Sequence, residues 1–123
     1  MVTERRSGNF HRAVDNFAHP AERALAREFD RLGIAWEYEP RTFVLERRNG
    51  QVVEACTPDF YLPHLDMYLE CTVQRQKNVA RKNRKLRKLR ERFGVTVGVL
   101  YRRDILRLAQ TYGLKELEAS VNA

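Results

Sequence analysis

Cysteine is scarce in this chain: there are only Cys56 and Cys71, fifteen positions apart and both within apolar or strand-like runs. With His11, His19 and His64 scattered, no Cys/His set falls at the close-pair spacing of a zinc site, which speaks against a thiolate metal centre. The Met1 end lacks an apolar signal core, and no stretch is long and apolar enough to cross a bilayer. No membrane partner is therefore expected, and a soluble protein in a reducing cytoplasm is. Repeats, low-complexity tracts and Pro/Gly/Ser-rich linkers are missing too, so nothing divides the chain.

What is present suits one ordinary domain. A chain of 123 residues, 43% hydrophobic and 32% charged, has room for a single core. The net charge of +7 is unevenly spread: Arg75 to Arg92 holds ten Lys or Arg against one acid, Glu91, for a local charge of +9. The remaining residues sum to −2. Basicity confined to one element implies a local face for phosphates or acidic groups rather than a generally basic protein.

The first residues, 1–17, are polar and unpatterned and are expected to form an arm that orders on a partner. Residues 18–113 carry the core pattern, and 114–123 form a short terminal helix and tail. Ala18, Ala21, Leu25, Phe29 and Leu32 recur at helical spacing, with Pro20 suited to the first turn and Gly33 to the stop. IAWEYEPRTFVLE and VVEACTPDFYLP then read as two strands joined by an Asn49-Gly50 turn. A third strand, Asp66 to Val73, sets Met67, Leu69, Cys71 and Val73 on one face and Asp66, Tyr68, Glu70 and Thr72 on the other. A basic helix runs from about Gln74 to Phe93 and stops at Gly94; VTVGVLY reads as a buried strand and Arg102 to Tyr112 as a helix. The expectation is an α/β domain with a mixed sheet.

Two acids stand out in TPDFYLPHLDMYLECT. Asp59 follows a proline at a strand end, and Glu70 lies in the next strand. Carboxylates on neighbouring strands can converge on a hard cation such as Mg²⁺ or Mn²⁺, which suits phosphodiester hydrolysis: the metal neutralises phosphate and acidifies an attacking water. Each acid also has a plainer reading, Asp59 as a turn residue and Glu70 as a solvent-facing strand acid paired across to an arginine.

On Pro58-Asp59, Glu70-Cys71-Thr72 and an additional acid at Glu22, the chain resembles the PD-(D/E)xK nucleases, whose restriction-endonuclease-like fold has the core order α-β-β-β-α-β. The resemblance spans about residues 20–112. It implies Asp59, Glu70 and Glu22 as metal-holding acids with Mg²⁺ or Mn²⁺ as cofactor. This sequence departs from the motif at Thr72, which stands where the family places its lysine and has no cation to offer.

In some members the lysine comes from the following helix. Setting Val79 at 0° and advancing about 100° per residue puts Leu86 at about 340°, Leu89 at about 280° and Phe93 at about 320°. Lys82, at about 300°, falls inside this apolar stripe, with Lys85 on its flank at about 240°. A lysine aimed at a core needs an anionic partner, so Lys82 is the first candidate for the displaced lysine and Lys85 the second. Its plainer reading is a chain whose methylenes pack while the ammonium reaches solvent. Glu22, third in its helix, suits either capping of the helix start or the metal site.

The remaining cations, Arg75, Lys77, Arg81, Arg84, Lys85 and Lys88, are too many for Glu91 to pair within the helix and read as a phosphate track that positions without reading base sequence. The expected function is a metal-dependent endonuclease acting on DNA. To cut both strands, a chain of this size is expected to act as a homodimer or with partners. The alternative is a catalytically inactive nucleic-acid-binding module on the same fold, with Thr72 as the mark of lost chemistry.

Overall fold

Helix α1, Pro20–Leu32, starts where His19, in extended geometry, accepts the Ala21 N–H on its Nδ1 at 3.0 Å, and Pro20 fills a first-turn position that needs no donor. Gly33 ends it with φ 74°, in the left-handed region that glycine enters without penalty. The computed structural model describes residues 16–73 and 76–122, and only the backbone of Gln76 and Lys77. The expected arm therefore lies outside the described residues except for Asn16 and Phe17, as do Gln74 and Arg75.

After α1 come β1 (Glu37–Tyr38), β2 (Phe43–Arg48), β3 (Gln51–Cys56), β4 (Phe60–Leu62) and β5 (Met67–Thr72). Helix α2 (Gln76–Phe93), β6 (Val97–Tyr101), α3 (Arg102–Tyr112) and α4 (Lys115–Ser120) complete the described chain. Four strands form a mixed sheet in the order β1-β4-β5-β6: β4 pairs antiparallel with β1 and β5, while β6 runs parallel to β5 after the α2 crossover. The fold is thus mixed α/β. Among the described residues no helix is long and apolar enough to cross a membrane.

The two long strands expected before Pro63 are not continuous. Each breaks at a proline, Pro40 or Pro58, which has no N–H to give a ladder, and Glu39 beside Pro40 takes φ 44°. Their outer halves, β2 and β3, form a separate two-stranded sheet around the expected Asn49-Gly50 turn, where both residues have positive φ, 53° and 78°. The inner halves, β1 and β4, join the main sheet. Smaller shifts occur elsewhere: β5 starts at Met67 because Asp66 sits in a turn with φ 48°, and β6 starts at Val97 rather than Val95.

The apolar residues gather in two clusters on opposite faces of the sheet instead of the single core expected. On one face, Leu69 and Cys71 of β5 pack with Leu25 and Phe29 of α1, Trp36, Phe60, Ile105 and Leu117. On the other, Leu86 and Leu89 of α2 and Val97 pack with Phe43 and Leu45 of the hairpin, and Tyr68 borders them. The two-residue alternation of β5 sends its odd residues to the first cluster and turns Tyr68, Glu70 and Thr72 toward α2. Because the sheet is covered on both sides, any polar group on the α2 face must find its partner in the protein or in a ligand.

Candidate functional site

The break at Pro58 fixes the position of Asp59. It stands at the bend between β3 and β4, one residue before Phe60, which is in register with Leu69 of β5. Asp59 thus comes opposite Glu70, and the two lock reciprocally: the Asp59 N–H donates to Glu70 Oε1 at 3.0 Å, and the Cys71 N–H donates to Asp59 Oδ2 at 2.8 Å. Both are nearly sealed, at 6% and 4% exposure.

From the facing helix, Lys82 completes the group. Its Nζ lies 2.6 Å from Glu70 Oε2 and donates to the Cys71 carbonyl at 3.3 Å. The helical periodicity of α2 thus brings an inward-facing lysine to the acids, with Leu86 and Leu89 of the same stripe fully buried below it. Lys82 is neither packed away from solvent nor reaching freely into it: its side chain is 22% exposed while its ammonium is held by Glu70 and the Cys71 carbonyl.

The electrostatics are those of an acid excess. Burial first, then the charges of Glu70 and Glu22, push Asp59 up to about 8, while the Cys71 N–H bond and Lys82 pull the other way. Burial works against the Lys82 ammonium, but the charge and hydrogen bond of Glu70, with Asp59 and Glu22 behind it, hold its pKa above the ordinary lysine value. Glu39 is raised by burial and then by Glu22 and Glu70. With Asp59 held protonated and Glu70 paired with Lys82, the buried oxygens gathered here are still of the kind that a hard divalent cation takes. The Asp59 and Glu70 side chains and the Cys71 carbonyl are gathered beside Lys82, each engaged by a backbone N–H or by the ammonium.

Glu22 does not join them. Its Oε1 accepts the Tyr38 hydroxyl at 2.5 Å and the Ala18 N–H at 3.2 Å, a backward reach that passes the His19 cap, whose N–H a capping box would take, by one residue. Its charge is felt by Asp59, but among the described residues no three His, Cys, Asp or Glu are grouped so as to hold a metal ion. Burial and then Glu22 keep the Tyr38 phenol well above its usual pKa, so Tyr38 acts as a fixed donor to that carboxylate. The two thiols nearby are inert as nucleophiles near neutrality: burial, then Glu70, raises Cys56 to about 11, and burial, then Asp59, raises Cys71 as well.

Thr72 ends the strand. It is 2% exposed, and its Oγ1 has no hydrogen-bond partner among the described residues. The facing turn of α2 delivers Lys82 to Glu70 instead.

An open cleft runs from Glu70 and Cys56 past Lys82 to Arg81 and Lys85, so these two expected phosphate contacts border the same space. The other two cations that are described do not stand alone: Lys88 pairs with Glu54 of β3 at 2.7 Å and Arg84 approaches the same carboxylate at 3.8 Å. Glu54 is a partner from the hairpin that counting charges within the helix misses, although the alternation of β3 places it beside α2. Arg75 lies outside the described residues, and Lys77 is described by its backbone alone. The Cys71 carbonyl and the Tyr38 hydroxyl leave no mark in a residue pattern and could not have been foreseen.

Compared with known proteins, the chain matches no family model, no curated protein and no solved structure.

Proposed function

We propose that this protein is a metal-dependent nuclease that hydrolyses phosphodiester bonds of DNA, on a restriction-endonuclease-like version of its α/β fold. The observation that carries this reading is the contact between Lys82 Nζ and Glu70 Oε2 at 2.6 Å, made beside an Asp59 already locked to the same strand. A buried strand acid with a lysine two residues later is the PD-(D/E)xK arrangement; here the cation reaches the same acid from α2.

In this reading Asp59 and Glu70, with the Cys71 carbonyl, would hold Mg²⁺ or Mn²⁺, which when bound supplies charge to the phosphate and acidity to a water. Lys82 would orient the attacking water or the scissile phosphate oxygen, since its pKa is held above the ordinary lysine value and its side chain lines the cleft. Arg81 and Lys85 on the cleft wall would hold the flanking backbone. Glu22, tied to Tyr38, adds negative potential and fixes the start of α1.

Two observations favour a second reading, a DNA-binding module without chemistry: Thr72 stands at the motif position, and the acids are closed upon backbone N–H groups and Lys82. Calorimetric titration with Mn²⁺ separates the two, combined with cleavage of supercoiled plasmid and branched DNA. The nuclease reading expects Mn²⁺ binding and cleavage by the wild type, and loss of both in Glu70→Gln and Asp59→Asn with DNA binding retained. DNA binding without metal binding or cleavage would leave the binding module.

A further inference from the structure

The cleft beside Lys82 does not end at the acids. Its volume of about 340 Å³, with Glu70 and Lys82 at one end, adjoins a second compartment of about 570 Å³ that reaches Glu46 and Arg48 of the hairpin. Ala55, Arg81 and Lys85 line both, so the two form one groove with β3 as one wall and α2 as the other. The walls are packed together below it: Phe43 and Leu45 of the hairpin meet Leu86 and Leu89 of α2, and Glu54 of β3 reaches across to Lys88 at 2.7 Å. Each compartment is of the size that encloses one small ligand, which suits successive nucleotides of one strand and leaves no room for two paired strands. Glu70 borders the first compartment but is only 4% exposed, so a phosphate must enter the groove to come near it.

Charge in the groove is only half cancelled. Three contacts pair a cation with an acid: Lys82 with Glu70 at 2.6 Å, Lys88 with Glu54 at 2.7 Å, and Arg48 with Glu46 at 2.8 Å. Three cations are left over. Arg84 comes no closer than 3.8 Å to Glu54, which Lys88 already holds. Arg81 and Lys85, at the waist that the two compartments share, form no ion pair among the described residues, and Lys85 is half-buried. A half-buried ammonium without an acid is stabilised by an anion brought to it. Beside these cations Val53, 45% exposed, gives the second compartment an apolar patch. An unpaired base can cover that patch, whereas a base stacked and paired inside a duplex cannot.

We propose that this groove takes one unpaired strand of DNA, so that the protein cuts single-stranded DNA, or a duplex opened where it is cut, and spares closed duplex. The inference rests on the nuclease reading for its chemistry and adds to it the form of the substrate. From Glu70 and Lys82 the strand runs between β3 and α2 toward the hairpin, its backbone on Arg81, Lys85 and Arg84 and a base against Val53. Supercoiled and branched DNA contain such openings, whereas a linear duplex must first lose pairing and stacking. The exposed cations elsewhere on α2 stay available to the duplex that flanks the opening.

Mn²⁺-supported cleavage of three linear DNAs tests this: a single strand, its perfect duplex, and that duplex with a central unpaired bubble. The single strand and the bubble are expected to be cut at least about 30-fold faster than the perfect duplex, with the cuts at unpaired nucleotides. A perfect duplex cut as fast as the single strand would overturn the inference and leave the nuclease reading standing. If none of the three is cut, the nuclease reading falls, and binding of the labelled single strand in EDTA over a range of salt decides the groove by itself. There Arg81→Gln/Lys85→Gln should weaken binding about 5- to 20-fold and flatten the salt slope by about 1.4, at about 0.7 per contact on a single strand. Arg87→Gln/Arg92→Gln removes two exposed cations that line neither compartment and should change both quantities less than half as much. Equal losses in the two double variants, no loss in either, or a wild type that binds no single strand would overturn the groove as its path.

Discussion

A carboxylic acid as deeply buried as Asp59, facing a second carboxylate, holds its proton in the folded chain up to about pH 8 but releases it near 3.8 when exposed. Between those values the folded state binds more protons than the unfolded one, so stability falls as pH rises. Without divalent metal, the protein is expected to lose stability from about pH 4 to about pH 8, a loss that Asp59→Asn should remove. At pH 8 that variant should be more stable than wild type by about 1–3 kcal/mol, and at pH 4 nearly equal to it. Urea midpoints at the two pH values decide this; an equal slope in both proteins would contradict the account. The Lys82 contact makes a second prediction at this scale. Lys82→Met strands the Glu70 charge in a sealed site and should destabilise by about 1–3 kcal/mol, less in a Glu70→Gln background. Chemical denaturation of the four proteins of this cycle measures the coupling, and additive effects would mean that the pair does not interact. Both residues were legible before the fold was known, Glu70 from strand alternation and Lys82 from its place in an apolar stripe, because each follows a fixed local period. The tie of Glu22 to Tyr38 was not, because the two are sixteen residues apart and nothing local links them.

At the scale of elements, helices and turns were readable where a residue has one conformational use: Pro20 and Gly33 bound α1, and Asn49-Gly50 makes the hairpin. The strands were harder. Pro40 and Pro58 interrupt runs that look continuous by hydrophobicity, and which half joins which sheet depends on long-range pairing that no local pattern encodes. Misreading those breaks hides the reason Asp59 sits where it does, at a bend that aims it across at Glu70. The hairpin also alters the reading of α2, since Glu54 takes up Lys88 and Arg84. If these cations serve phosphates, Glu54 competes with the substrate. Glu54→Gln should therefore tighten DNA binding about 2- to 10-fold at low salt, with less effect at high salt. Anisotropy titrations check this, and weaker binding by the variant would mean that Glu54 positions the cations instead of masking them.

For the whole molecule, the lopsided charge found in the sequence becomes a shape: the basic helix covers one face of a mixed sheet, and the acids lie beneath its first turns. Four to six phosphate contacts along this face would give a plot of log affinity against log salt with a slope of about −3.6 to −5.4 on duplex DNA. A slope near zero would remove nucleic acid as the partner. The central claim is that Lys82, coming from α2, supplies the cation that Thr72 cannot. The measurement that tests it most directly is the rate of Mn²⁺-supported plasmid cleavage by wild type and Lys82→Met at saturating protein, with DNA affinity measured on the same samples. The account predicts cleavage by the wild type and a loss of at least about 100-fold in the variant, with affinity little changed. Equal cleavage rates in the two proteins, or no cleavage by a wild type that binds both metal and DNA, would contradict it.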